Sequence, residues 1–170
     1  AQYVKTANTT VYVSDLSNID NNSLKYLWTT STLAPSTLSF VNSFTNGETI
    51  TTPQDATGLY YLWIMGTDEY GNSTIKRSNA FKLDNISPSL QLIGSETVTI
   101  EVGNPYQVEG VKATDNIDED ITNKVVIAGN VNTNKLGIYI ITYNVTDEAG
   151  NKAEPVTRTI IVKDTTSPVI

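Results

Sequence analysis

One stretch of this chain occurs twice at a fixed offset. Gly58-Leu59-Tyr60 opens a β-rich segment that runs to Thr67-Asp68-Glu69-Tyr70-Gly71-Asn72, and Gly137-Ile138-Tyr139 opens another that runs to Thr146-Asp147-Glu148-Ala149-Gly150-Asn151. Gly58 and Gly137, Tyr60 and Tyr139, and Gly71 and Gly150 are each 79 positions apart, and Pro88 and Pro168 are 80 apart. A spacing held over three landmarks marks a structural repeat, which decides architecture before local propensity does. The expected division is residues 1–86, with the first strand absent, then 87–165, then 166–170 as the start of a further linker or repeat. Both ends read as cuts from a longer array.

The composition suits β structure, being rich in Thr, Val, Ile, Tyr and Asn with a single Met. There is no Cys, so no disulfide can brace the modules, and no His, which removes the usual general base and metal ligand together. The net charge of −7 argues against nucleic acid or an anionic membrane as partner. No apolar run approaches the length of a membrane span. The acidity is concentrated in the second half.

Short strands separated by turn residues are predicted throughout, without an amphipathic helix. In the first module they are 9–13, 24–29 and the run after Gly58. Leu24, Tyr26 and Trp28 share one face of the second of these, which makes Trp28 a core residue. Asn46-Gly47 signals a type I′ hairpin, whose two central residues both need positive φ. After Gly58, Tyr60, Leu62 and Ile64 alternate with Tyr61, Trp63 and Met65, so both faces are apolar. In the second module strands are expected at 90–93, 97–102, 108–113, 125–127, from Tyr139 to Val145, and at 156–162 as the closing strand. The fold class is all-β: two tandem β-sandwiches without a disulfide. Tyr60 and Tyr139 fall where a tyrosine corner would, at the start of the sixth strand with the hydroxyl returning to nearby backbone. Gly71 and Gly150 are read as structural glycines supplying positive φ in the turn that follows.

These residues carry a resemblance. Residues 88–164, through Val98 to Gly103, Ala113-Thr114-Asp115-Asn116, Leu136 to Tyr139 and Tyr143 to Asn151, resemble the bacterial Ig-like domain of insecticidal crystal proteins and many bacterial surface proteins. The first module, through Ser23 to Trp28, Gly58 to Trp63 and Asp68 to Asn72, resembles another bacterial surface Ig-like repeat. Both end in an Asp-x-x-x-Pro linker, Asp84 to Pro88 and Asp164 to Pro168. The resemblance implies a secreted or wall-associated module serving as a non-catalytic spacer or adhesion element. Its partners would be neighbouring modules of the same chain and a host or cell-wall glycan or protein.

The most chemically loaded residues are acidic and lie in loops. In a sandwich of this strand order, the loops after the second and sixth strands share the end where the preceding linker arrives. That would bring Asp115, Asp118, Asp120, Asp147 and Glu148 towards Asp84 and Asn85. Hard oxygen ligands from several segments are what Ca²⁺ takes, so a calcium ion at the interdomain joint is the cofactor such loops would hold. No EF-hand is present, since counting from Asp118 puts Asn123 at the turn position and Gly129 at the twelfth. The competing reading is that Asp and Asn are there to make turns.

A second candidate is the stripe of Tyr61 and Trp63, which could stack on sugar rings if exposed. The alternative is that residues 30–57 cover it. The corresponding second function is an accessory carbohydrate-binding module of a secreted glycosidase. Paired carboxylates in turn loops, without a cleft, do not make a catalytic acid and base, and no catalytic residue is expected. No Lys sits on an apolar face where an intramolecular Lys–Asn crosslink could form. Asn-x-Ser/Thr sequences at Asn8, Asn72 and Asn144 follow from composition alone.

Overall fold

A computed structural model describes residues 2–15 and 18–168. It separates into two compact units that meet between Asn85 and Ile86. Each is an all-β sandwich.

The first unit contains β1 (Asn8–Thr10), β2 (Lys25–Thr29), β3 (Asn42–Ser43), β4 (Thr49–Thr51), β5 (Gly58–Thr67), β6 (Ser73–Arg77) and β7 (Phe81–Leu83). β1 pairs with β4, and the facing sheet runs β3-β2-β5-β6, with β7 pairing on the first residues of β5. Leu24, Phe44, Ile50 and Leu62 are buried between the sheets, with Tyr26, Trp28 and Ile64 packed against them. Trp28 meets Phe81 edge-on at 5.0 Å and donates from Nε1 to Thr51 O at 3.0 Å. Its polar atom is thereby satisfied inside an apolar contact, as a core indole requires.

Two expectations for this unit are corrected together. The strand beginning near Thr9 stops at Thr10, and Asn46-Gly47 is no hairpin turn. β3 and β4, on either side of it, pair with different strands. Gly47 alone of the two has positive φ, +86°, whereas a type I′ turn needs it at both. The cause is the Asn46 side chain. Its Oδ1 accepts from Val13 N at 2.9 Å and its Nδ2 donates to Val13 O at 2.8 Å. A side-chain amide thus replaces the neighbouring strand, and the ladder ends early.

The second unit contains β8 (Ser89–Leu92), β9 (Thr97–Glu101), β10 (Val111–Asp115), β11 (Glu119–Asp120), β12 (Val126–Ala128), β13 (Gly137–Asn144) and β14 (Val156–Lys163). One sheet runs β11-β10-β8 and the other β12-β13-β14-β9. Tyr139, Ile141 and Tyr143 point inward from β13 and pack with Val111, Ile160 and Val162, the period-2 alternation expected of a strand with one buried face. β14 lies inside its sheet, not at the edge: β9 pairs outside it in parallel, from Thr97↔Thr159 to Glu101↔Lys163. The first unit has the same contact in miniature. Val4 bridges Leu83 in parallel, with Val4 N donating to Lys82 O and Asp84 N donating to Val4 O.

An arginine occupies the middle of this second core. Arg158 on β14 is 0% exposed. Its guanidinium donates to Glu109 O at 2.7 Å and to Ile93 O, faces the Glu109 carboxylate at 3.3 Å and lies 6.0 Å from the Tyr143 ring. Nε is buried without a partner. Tyr143 donates its hydroxyl to the same Glu109 O at 2.7 Å, and burial raises its pKa. Beyond β14, the Glu101 carboxylate accepts from the backbone and hydroxyl of Thr165 and from the Thr166 hydroxyl. Those bonds, Thr165's first, lower its pKa from the ordinary 4.5 to about 2.

Candidate functional site

The repeated turn is a carboxylate clasp. In the second unit Asp147 Oδ1 accepts from Gly150 N and Asn151 N, both at 2.7 Å, and Oδ2 accepts from Asn151 Nδ2 at 2.7 Å. In the first, Asp68 Oδ1 accepts from Tyr70 N and Asn72 N at 2.9 and 2.8 Å, and Oδ2 from Asn72 Nδ2 at 2.8 Å. Gly71 and Gly150 sit at φ +89° and +94°, a region a β-carbon disfavours, and they let the backbone wrap its own aspartate. The two copies differ in burial. Asp147 is 6% exposed and Asn151 3%, while Asn72 is open to solvent.

Within the second unit the loop after β10 meets this clasp. Asp115 Oδ2 accepts from Ile117 N at 2.8 Å and Asp118 N at 3.0 Å, which curls the loop. Asp118 Oδ2 then accepts from Glu148 N at 2.7 Å. Lys124 bridges the two segments, 3.4 Å from Asp118 and 3.3 Å from Glu148. Partial burial works against its charge, but the Glu148 hydrogen bond and the two carboxylates outweigh that and raise its pKa. Asp120 is exposed and accepts from Thr122 N at 3.0 Å, just ahead of the short 3-10 turn Thr122–Lys124 whose N-cap is Ile121. The Thr122 hydrogen bonds lower its pKa.

The sequence-predicted ligands therefore separate by job. Asp118 and Glu148 are engaged with Lys124, whose role nothing in the local pattern announced. Asp120 serves the local turn to Thr122. In the first unit, Asn85 donates from Nδ2 to Lys5 O and Ala56 O and from its backbone to Thr57 Oγ1. It stitches that unit's own loops. Asp84, beside it, is buried. The pair left facing each other in the second unit is Asp115 and Asp147, with carboxylate oxygens within 4.8 Å. Asp115 Oδ1 is buried and has no hydrogen-bond partner, an arrangement that costs energy unless something compensates the charge.

The aromatic stripe is not an open platform. Trp63 is 6% exposed and donates from Nε1 to Ser31 O at 3.4 Å. Arg77 lies 4.8 Å from the Tyr61 ring centre and 5.9 Å from that of Trp63, held there by a bond to Thr32 O. The segment after β2 and a stacked guanidinium cover what an exposed sugar platform needs bare. The tyrosine corner also divides. Tyr139 donates to Lys135 O at 2.9 Å, four residues upstream, whereas no hydrogen bond from the Tyr60 hydroxyl is formed among the described residues. A cleft of about 440 Å³ in the first unit, between residues 11–15 and β5–β6, includes Asp68 and Lys76 in its lining. Its best-placed carboxylate, Asp68, is the one closed into the clasp.

Comparison with known proteins bears on these units. A family described as "Bacterial surface protein, Ig-like domain" matches residues 90–162. The pesticidal crystal protein Cry22Aa of Bacillus thuringiensis is 30% identical over 147 residues, covering 76% of this chain and 20% of that protein. The outer cell wall protein of Brevibacillus brevis is 28% identical over 134 residues, covering 66% of this chain and 13% of that protein. This chain thus spans a small part of either relative. A lipoprotein structure from Bacteroides thetaiotaomicron superimposes with a TM-score of 0.43 at 37% identity, over 48% of this chain and 40% of that one. Among the described residues no helix is long and apolar enough to cross a membrane. Residues 90–162, which make up most of the second unit from β8 to β14, are an Ig-like domain of the bacterial surface protein family.

Proposed function

We propose that the chain is a non-catalytic, load-bearing spacer of a bacterial surface or secreted protein. The observation that carries this reading is the parallel pairing of β9 with β14. β9 follows only the short β8, and because it runs in the same direction as the last strand, stretching the chain pulls the two paired strands from opposite ends of their ladder. Tension along the chain then loads the β9–β14 ladder lengthwise, so its bonds must fail together and not one after another. Val102 N donating to Lys163 O at 3.0 Å adds a bond at the end of the ladder. In single-molecule pulling, the second unit is expected to rupture in one step, and Val102→Pro, which removes that donor, to lower the rupture force. Stepwise opening at the low force of an unzipping hairpin, unchanged in the variant, would rule the reading out.

A second reading rests on Asp115 Oδ1, buried without a partner beside Asp147. A calcium ion held by these two carboxylates, with backbone and water oxygens completing its shell, would neutralise the pair and stiffen the end of the unit. Extracellular modules bind calcium at roughly 0.1–1 mM, so about 10 mM calcium would add roughly 1.4–2.7 kcal/mol to the second unit's stability. The tyrosine- and circular-dichroism-detected melt should rise accordingly, and Asp115→Asn should abolish the gain. Asp84→Asn distinguishes an ion shared with the linker, where the gain is lost, from one contained in the second unit, where it stays. An unchanged wild-type melt removes calcium from the account.

A further inference from the structure

Going beyond the spacer reading, we infer that the outer face of the β12-β13-β14-β9 sheet is a self-association surface for a second copy of this chain. Inward residues of β13 are Tyr139, Ile141 and Tyr143, so Ile138 and Ile140 face outward, and they are 70% and 57% exposed. Ile161 stands directly opposite Ile138 on β14, and Val126 extends the patch on β12 with 63% exposure. Threonines fill most of the remaining outward positions of β9, β13 and β14.

The first unit shows what this surface lacks. At the repeat offset, Ile140 corresponds to Tyr61, and the face around Tyr61 and Trp63 is covered by Arg77 and the segment that offers Ser31 O and Thr32 O. Among the described residues nothing equivalent covers Ile138 and Ile140, which stay 70% and 57% exposed.

Charge and area select the occupant. The chain carries −7 overall, so two copies repel unless they meet through a surface without net charge. This face meets that condition. Its centre is uncharged, and the ionisable pair at one end, Glu101 opposite Lys163 in register, carries both signs, which suits a two-fold contact in which each meets its opposite. β12, β13, β14 and β9 contribute 3, 8, 8 and 5 residues, a face of about 400 Å² from strand rise and spacing. Two copies would bury about 800 Å², in the range of weak, transient contacts. The association is therefore weak and concentration-driven.

Sedimentation velocity of the whole chain from about 10 µM to about 1 mM covers the range in which such an interface forms. The weight-average mass should climb towards twice the monomer value. Ile138→Lys with Ile140→Lys should hold it at the monomer value with an unchanged melt, because both side chains are already solvent-exposed. Leu38→Lys, at a still more exposed apolar residue of the first unit (91%), should leave association intact. A monomer at every concentration overturns the proposal, and so does a dimer that survives the double substitution.

Discussion

Arg158→Met should lower the melting temperature of the second unit by roughly 10–25 °C, the shift that about 3 kcal/mol produces in a domain this small. Methionine fills much of the aliphatic volume, so the loss is electrostatic and not a cavity. Ile93 O loses the guanidinium donor, and Glu109 O keeps only the Tyr143 hydroxyl. An acceptor that loses its donor where water reaches it poorly is the costly half of a hydrogen bond, and both bonds to Arg158 are part-buried. The Glu109 carboxylate is half exposed and returns to water, which keeps the penalty below that of stranding a buried charge. Both tryptophans, Trp28 and Trp63, belong to the first unit. Tryptophan fluorescence therefore follows one unit, while tyrosine emission and circular dichroism also register the other. The substitution should shift the latter signals and leave the tryptophan transition in place. A melt of the second unit equal to wild type would mean that Arg158 is tolerated in the core without supporting it.

Asp147→Ala should cost about 2–3 kcal/mol, against under about 1 kcal/mol for Asp68→Ala, although each aspartate accepts from two turn amides and from its asparagine's side chain. The difference is burial. Removing Asp147 takes away the buried bonds to Asn151 N and the Asn151 amide, with Gly150 N at the rim, whereas water can replace Asp68 around the exposed Asn72. Measured in chelator, so that no ion contributes, the pair of variants compares one motif in two environments. Equal losses would show that the clasp's worth lies in the turn and not in its surroundings.

The fold was legible wherever one face of a strand is buried and the other wet. The alternation of Tyr139, Ile141 and Tyr143 identified β13, and Leu24, Tyr26 and Trp28 identified the inner face of β2, because burial imposes the period of the backbone itself. It failed where a side chain took over the work of backbone. Asn46 reads as a turn residue and is one, yet what it does is hold Val13 across more than thirty positions, a pairing no local signal encodes. Arg158 was invisible for a related reason. A single cation in an alternating strand looks like a solvent-facing residue, and only tertiary contacts to Glu109, Ile93 and Tyr143 make its burial tolerable. At the acidic end, composition pointed to the right loops but could not divide their carboxylates. Lys124 draws off Asp118 and Glu148, which leaves Asp115 and Asp147 to face each other.

The pairing of β9 with β14 also governs when the second unit can form. Closing Thr97 onto Thr159 joins segments far apart in the chain, at an entropic cost of about 3.6 kcal/mol for a flexible loop of that length, and contacts so distant in sequence slow folding. A chain emerging amino-terminus first holds β9 as an unpaired edge until its last strand arrives. The unit cannot complete itself part-way through synthesis. It stays threadable until β14 is delivered, and then gains its shear-resistant ladder in the closing step.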